Sequence, residues 1–478
     1  MFLRPFTTIS RRQLLLGGAT LPFASSMLAP SAFAANEFRL RAAPASAHLL
    51  GDEGRETVTL SYSGSLQGNV LRLKQGEPVR LVVENGLDKD TTVHWHGIRM
   101  FNSMDGVPGL TQPPIKPGET FVYEFTPPDA GTFWFHPHAN SLEEIGRGLA
   151  AALIVEEREP VAVDRDVLWL LQDWRLDQSG ELSNRFGSAM DAMMSGRVGN
   201  VVTINRAEPK DFAVRAGERI RLRLANACVA RMMALRFENH RPVVIALDGQ
   251  PCEPHEPEDG RIVLAPAMRA DIVLDLTGES GKSYAVTDDF YDGLAYTLTS
   301  IAYESGAPLR DNPLDAPLRL TPNPLAEPEL THALRQEIVL RGGMMGGGKL
   351  KGLGGMPGMN MSGMGKSPSW AINGMSMTGD GMAGMAPAFT LKRGQTCHLT
   401  LRNQTAWWHP MHIHGFSMKV LTRNGAPVPH DPWQDTVLMA PADILESAFV
   451  ADNPGDWMRH CHVIDHSMSG LMTVFRVT

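Results

Sequence analysis

Lys74-Gln75-Gly76-Glu77-Pro78-Val79-Arg80-Leu81-Val82-Val83-Glu84-Asn85 is a Gly-containing turn followed by an alternating strand that ends in asparagine. The same order of features returns at Arg215-Ala216-Gly217-Glu218 before Ile220-Arg221-Leu222-Arg223-Leu224, ending at Asn226. It returns again at Lys392-Arg393-Gly394-Gln395 before Cys397-His398-Leu399-Thr400-Leu401, ending at Asn403. Repeats this far apart predict three copies of one β-domain, and alternating strands with Pro/Gly turns predict β-sandwiches. The expected boundaries are residues 36–157, 160–303 and 331–478, with a Pro-rich connector over 304–330.

The chain has 478 residues, a length that fits about two to four domains. Its net charge of −8 argues against a nucleic-acid partner, which needs a basic face. After residue 35 no apolar run is long enough to span a bilayer, so no membrane partner is expected. Residues 1–34 read as an address. Ser10-Arg11-Arg12-Gln13-Leu14-Leu15-Leu16 resembles a twin-arginine signal, and Ala32-Phe33-Ala34 is an A-x-A cleavage site. This predicts export to the periplasm, where disulfides can form. Cys228 and Cys252 share a predicted domain and could be joined or be two buried thiols, while Cys397 is expected in a core.

Four His-x-His pairs carry the chemistry: His94/His96, His136/His138, His412/His414 and His460/His462. On a strand alternate side chains share a face. Each pair would aim two imidazoles one way, and Cys461, between the last two, would point the other way. Eight imidazoles could then surround one cluster, while Cys461 joins His409 and His466 in a His₂Cys site suited to electron-transfer copper. Ten of the 16 histidines fall in these motifs. A structural zinc site needs only four ligands.

These motifs resemble the copper signatures of three-domain multicopper oxidases, the laccases and bacterial cuprous oxidases. The likeness extends to Pro117-Gly118-Glu119-Thr120, to Ala130-Gly131-Thr132-Phe133-Trp134-Phe135-His136 and to Arg269-Ala270-Asp271. It implies an all-β chain of three cupredoxin-like Greek-key β-sandwiches and four copper ions. His409, Cys461 and His466 would hold a type 1 ion, and His94 and His412 a type 2 ion. His96, His136 and His462 would hold one type 3 ion; His138, His414 and His460 would hold the other. Electrons would enter at the type 1 ion, pass through Cys461 to His460 and His462, and reduce dioxygen to water. Asp105 matches the family's acidic residue near the cluster, whose bland alternative is a turn residue.

Three positions depart from the family pattern. Leu471 stands where an axial methionine is common, which should raise the type 1 potential. Ser467 replaces a glutamate after the second type 1 histidine, although Asp465 is close in sequence. Thr405-Ala406-Trp407-Trp408 replaces the Asp and Met that receive substrate copper in cuprous oxidases.

Residues 344–385 contain ten methionines among Gly, Ser and Pro. Thioethers are soft ligands suited to Cu(I), so Met356, Met359, Met361 and Met364 are candidates for receiving substrate Cu(I). The alternative is a loop in which methionine fills gaps. Two substrates stay open: Cu(I), in copper tolerance, or small phenols and aromatic amines. The chain is expected to act as a monomer. A copper-storage protein that had lost its chemistry would lack ligands, and here all ten histidines and Cys461 are present.

Overall fold

Gly76, Gly217 and Gly394 take positive φ, at 78°, 82° and 80°, a region that a Cβ makes unfavourable. In the computed structural model, which describes residues 36–159, 162–312, 314, 319–344, 369–379, 382 and 384–478, each closes the same turn. Its amide donates to a carbonyl at the end of a neighbouring strand: Gly76 to Pro127, Gly217 to Leu276 and Gly394 to Ala451. The strands that follow are Val79–Asn85, Arg219–Asn226 and Gln395–Asn403. Their terminal asparagines are buried in the same role. Each side-chain oxygen accepts the amide two residues on, from Leu87, Cys228 or Thr405. Each Nδ2 donates to carbonyls of two loops: Lys89 and Ile115, Arg231 and Leu264, Trp407 and Ala440. The repeat is an Asx turn that ties off a central strand in three equivalent places.

Each central strand pairs in parallel with Glu37–Ala47, Arg165–Trp174 or Leu334–Gly342, and antiparallel with Thr120–Phe125, Arg269–Asp275 or Ile444–Ala451. A second sheet completes each unit, and non-consecutive strands neighbour one another throughout. The protein is all-β, with three cupredoxin-like Greek-key β-sandwiches in series. Inside the first, Leu81 and Tyr123 of one sheet pack with Trp95 and Phe135 of the other. The second and third share a continuous core.

Ile220-Arg221-Leu222-Arg223-Leu224 alternates apolar and charged residues, and every residue of that strand is buried. The arginine face turns to the first sandwich. There Arg221 pairs with Asp271 and Glu157, and Arg223 with Asp166 and Asp271. Asn323 of the connector bonds Ala130 of the first sandwich and Gln250 of the second. Cys228, Cys252, Cys397 and Cys461 are all buried thiols, so Cys228 and Cys252 are not joined. The signal-like residues 1–34 and Met356, Met359, Met361 and Met364 lie outside the described residues.

Candidate metal centre

The first and third sandwiches meet at their histidine-bearing strands. His94–His96 pairs with Gly131–His136, setting His94 opposite His136. His409–Ile413 pairs with Gly455–Cys461, setting His412 opposite His460. Across the junction His94 stacks on His414 and His96 on His412, with ring centroids 3.9 and 3.7 Å apart. Only His94/His96 lies wholly inside a strand. The ladder stops at His136, before Pro137, which has no N–H to give. It also stops before His414 and His462, but single bonds from His414 N to Met458 O and from His462 N to Pro410 O keep both imidazoles facing the cluster.

All eight rings are buried. His460 Nε2 lies 3.1 Å from His414 Nε2, and His462 Nε2 lies 3.4 Å from His136 Nε2. Ring nitrogens this close need a proton or a cation between them. The donor atoms of His138, His414 and His460 lie within 4.8 Å of one another, as do those of His94, His96 and His136 and those of His94, His412 and His414. The His462 ring lies 5.0 Å from that of His96 and 5.1 Å from that of His136.

Most of these imidazoles have one nitrogen held and one left over. Nδ1 of His94 bonds Asp105 O, Nδ1 of His412 bonds Asp435 O, and Nε2 of His96 meets the Asp435 carboxylate at 3.1 Å. Among the described residues, His94 Nε2, His412 Nε2, His96 Nδ1, His462 Nδ1 and both His138 nitrogens have no partner. His136 and His460 spend Nδ1 on the carbonyls of Pro137 and Cys461, and His414 on Asp105 Oδ2 at 2.8 Å. A held nitrogen fixes the tautomer and aims the other at a metal. Burial, with mutual repulsion, drives the pKa values of His96, His136, His414, His460 and His462 far down and that of His138 to about 3. Their lone pairs are therefore free at neutral pH, and this donor set fits copper.

A second site lies across the same strand. Cys461 Sγ is 3.5 Å from His409 Nδ1 and 3.8 Å from His466 Nδ1, and the two nitrogens are 3.2 Å apart. The opposite nitrogens are held by Thr405 Oγ1 at 2.9 Å and by Met194 O at 2.7 Å. Trp370 packs on both rings. Leu471 is buried in the same core as Cys461, and its carbonyl accepts the Cys461 amide. Met472 faces a different cluster, with Met458 and Val107. Burial pushes the Cys461 thiol well up, so a cation is what would displace its proton.

Asp435, Asp248, Thr405, Thr436 and Trp370 carry no sequence signature, and the site depends on each. Asp435 is gripped by Arg269, which together with His412 overcomes the effect of burial and holds its carboxyl well below the usual range. Thr436 Oγ1 lies 3.1 Å from His412 Nδ1. Asp248 receives the Arg269 and Thr436 amides; burial, opposed by Arg269 and reinforced by Asp435, pushes it up to about 7. Ser467 Oγ donates to Ile464 O. Asp465 accepts the Arg197 amide and is raised by burial to about 6. A cavity of about 800 Å³ beside Leu49, Val202, Tyr291 and Leu298 is lined by none of the ten histidines.

Comparison with known proteins agrees with this geometry. Multicopper oxidase family models match residues 45–160, 165–304 and 358–478. The crystal structure of a multicopper oxidase from Pseudomonas thermotolerans superposes with a TM-score of 0.79 at 32% identity, over 93% of this chain and 99% of that one. Copper resistance protein A of Escherichia coli is 24% identical over 89% of this chain and 90% of its own length. A laccase-like multicopper oxidase, CueO, from Ochrobactrum sp., described with oxidase activity towards lignin model compounds, is 26% identical with a TM-score of 0.76, over 93% of this chain and 98% of that one. The chain belongs to the multicopper oxidase family, and it is an oxidoreductase.

Proposed function

We propose that this oxidase is a cuprous oxidase that serves copper tolerance, with four copper ions held by ten histidines and Cys461. His409, Cys461 and His466 would hold the type 1 ion, and His94 and His412 the type 2 ion. His96, His136 and His462 would hold one type 3 ion, and His138, His414 and His460 the other. When bound, the copper supplies one-electron oxidation of substrate and four-electron reduction of dioxygen to water. The chain's own part is to hold the two sites apart by one tripeptide, since Cys461 is covalently continuous with His460 and His462. Asp105 spans the cluster, with its carbonyl on His94 and its carboxylate on His414.

One observation supports Cu(I) over phenols. The methionine-rich segment departs from a point pinned beside the His409–Cys461–His466 site. Met344 N donates to Met193 O, and Met344 O accepts from Trp407 Nε1. The adjacent Met194 carbonyl occupies His466 Nε2, the ring edge a phenol would need for a direct hydrogen bond. The exposed Trp408 and the non-coordinating Leu471 favour the second reading, a laccase. The twin-arginine-like residues 10–16 support export to the periplasm, and no helix among the described residues is long and apolar enough to cross a membrane.

Oxygen uptake by the copper-loaded protein tests the choice. Chelator-buffered Cu(I), corrected for autoxidation, is compared with dimethoxyphenol. Faster uptake with Cu(I) is expected; faster uptake with the phenol would make the protein a laccase.

A further inference from the structure

Arg459 is 1% exposed in the core of the third sandwich. Along Gly455–Cys461, Trp457 and Cys461 belong to the large core while Met458 belongs to a separate cluster. By strand alternation Arg459 shares the face of Cys461, one step away, roughly 7 Å along the strand. Its Nη1 lies 3.4 Å from Met418 Sδ. Among the described residues, its Nε and Nη2 have no hydrogen-bond partner and no carboxylate pairs with it. Arg221, Arg223 and Arg269 are as deeply buried, but each of them grips an aspartate. The thiol that acts on Arg459, Cys397, is itself pushed up by burial to about 12 and is neutral.

An unpaired charge in a dry core is strongly unfavourable, and leucine or methionine would fill the same volume without that cost. Burial lowers the Arg459 guanidinium only to about 10, so it stays charged at neutral pH. The guanidinium is therefore a fixed positive charge on the type 1 side of the strand, with no counter-charge among the described residues to mask it.

We infer that Arg459 is an electrostatic tuning residue that raises the reduction potential of the type 1 copper at His409, Cys461 and His466. The inference rests on the proposed type 1 site. Reduction lowers the charge of that site by one, and a nearby fixed positive charge favours the less positive state. At an effective dielectric constant of about 20 and a separation of roughly 10 Å, the effect on the electron equilibrium exceeds about tenfold. It would act in the same direction as a leucine in place of a thioether at position 471. Arg459 touches neither substrate nor dioxygen; it acts through the copper site.

The test is a redox titration of the blue absorption band in the fully loaded parent and three variants. Arg459→Met should lower the midpoint by about 59 mV or more, the equivalent of tenfold in a one-electron equilibrium. Arg459→Lys, which keeps the charge, should retain most of the parent value. Met418→Glu supplies the missing anion beside Nη1 and should lower the midpoint without removing the arginine. It carries the test alone if Arg459→Met fails to fold or to load. Variants with altered stability and unchanged potential would overturn the inference and leave Arg459 a packing residue. A loaded parent without a blue band would overturn the type 1 assignment, and this inference with it.

Discussion

Arg269 of the second sandwich grips Asp435 of the third with both guanidinium prongs, Nη1 to Oδ1 at 2.8 Å and Nη2 to Oδ2 at 2.5 Å. Asp435 in turn contacts His96 of the first sandwich through its carboxylate and His412 of the third through its carbonyl. The middle sandwich contributes no histidine to the cluster, yet it sets the orientation of two of them. Gly97 completes the fit. A Cβ there would come within 2.5 Å of Arg269 Nη2 and 2.6 Å of Asp435 Oδ2.

Arg269→Met should therefore be costly even without copper. It leaves Asp435 and Asp248 buried together with no cation between them. Breaking a buried pair on one side costs about 3–5 kcal/mol. Urea unfolding of the copper-free protein measures this, and a loss below about 1 kcal/mol would contradict the central role of the pair.

Asp105→Ala removes the carboxylate that holds His414 and leaves the carbonyl that holds His94. Loss of an outer partner of a ligating histidine typically costs 10–100-fold in metal affinity or activity. The expected outcome is a fall of about that size in oxygen uptake, with the type 1 blue band intact. An unchanged rate at full copper content would reduce Asp105 to a turn residue.

The sequence made the framework legible because two local rules survive any fold. Strand alternation put His460 and His462 on one side and Cys461 on the other. The Gly-turn/Asn signature marked three equivalent strands because the positive-φ turn before each favours Gly and the Asx turn after each favours Asn. The supporting polar residues were not legible. Asp435, Thr436 and Asp248 sit in ordinary strand or turn contexts, and their roles depend in part on contacts across 166 to 339 residues of chain. The full burial of Arg219–Asn226 was not legible for a related reason: its arginines are covered by another sandwich.

Leu471→Met tests the axial position. Leu471 is buried in the core that contains Cys461, so a thioether there could approach a type 1 ion and stabilise its oxidised state. The midpoint potential should fall and Cu(I) oxidation should slow. A potential equal to that of the parent would mean that residue 471 is not axial.

Acid should destabilise the copper-free protein. Burial lowers the pKa values of nine of the ten motif histidines, to about 3 for His138 and His466. In the unfolded chain they titrate near 6.5. The unfolded state therefore takes up more protons as pH falls, so stability is intact above about pH 6.5 and declines toward about pH 3. Each histidine adds a slope of up to roughly 1.4 kcal/mol per pH unit. Asp173, Asp248 and Asp465, raised by burial, act in the opposite sense but are fewer. The urea midpoint should drop between pH 7 and pH 5, and copper should blunt the drop by occupying the imidazoles. A flat profile for the copper-free protein would contradict this.

Deleting residues 345–364 separates substrate capture from electron transfer. Met344 stays, with its bonds to Met193 and Trp407, and so does Trp370 against His409 and His466. The type 1 site should keep its blue band and potential. Loss of Met356, Met359, Met361 and Met364 should raise KM for Cu(I) severalfold, because the soft donors that gather it are gone. Phenol oxidation should rise, because a shorter link then joins Met344 to Trp370, both of them beside the type 1 site. Steady-state kinetics with the two substrates separate the outcomes. Opposite changes support a Cu(I)-gathering segment, whereas a parallel fall in both activities would make the segment structural and remove the main support for a cuprous oxidase.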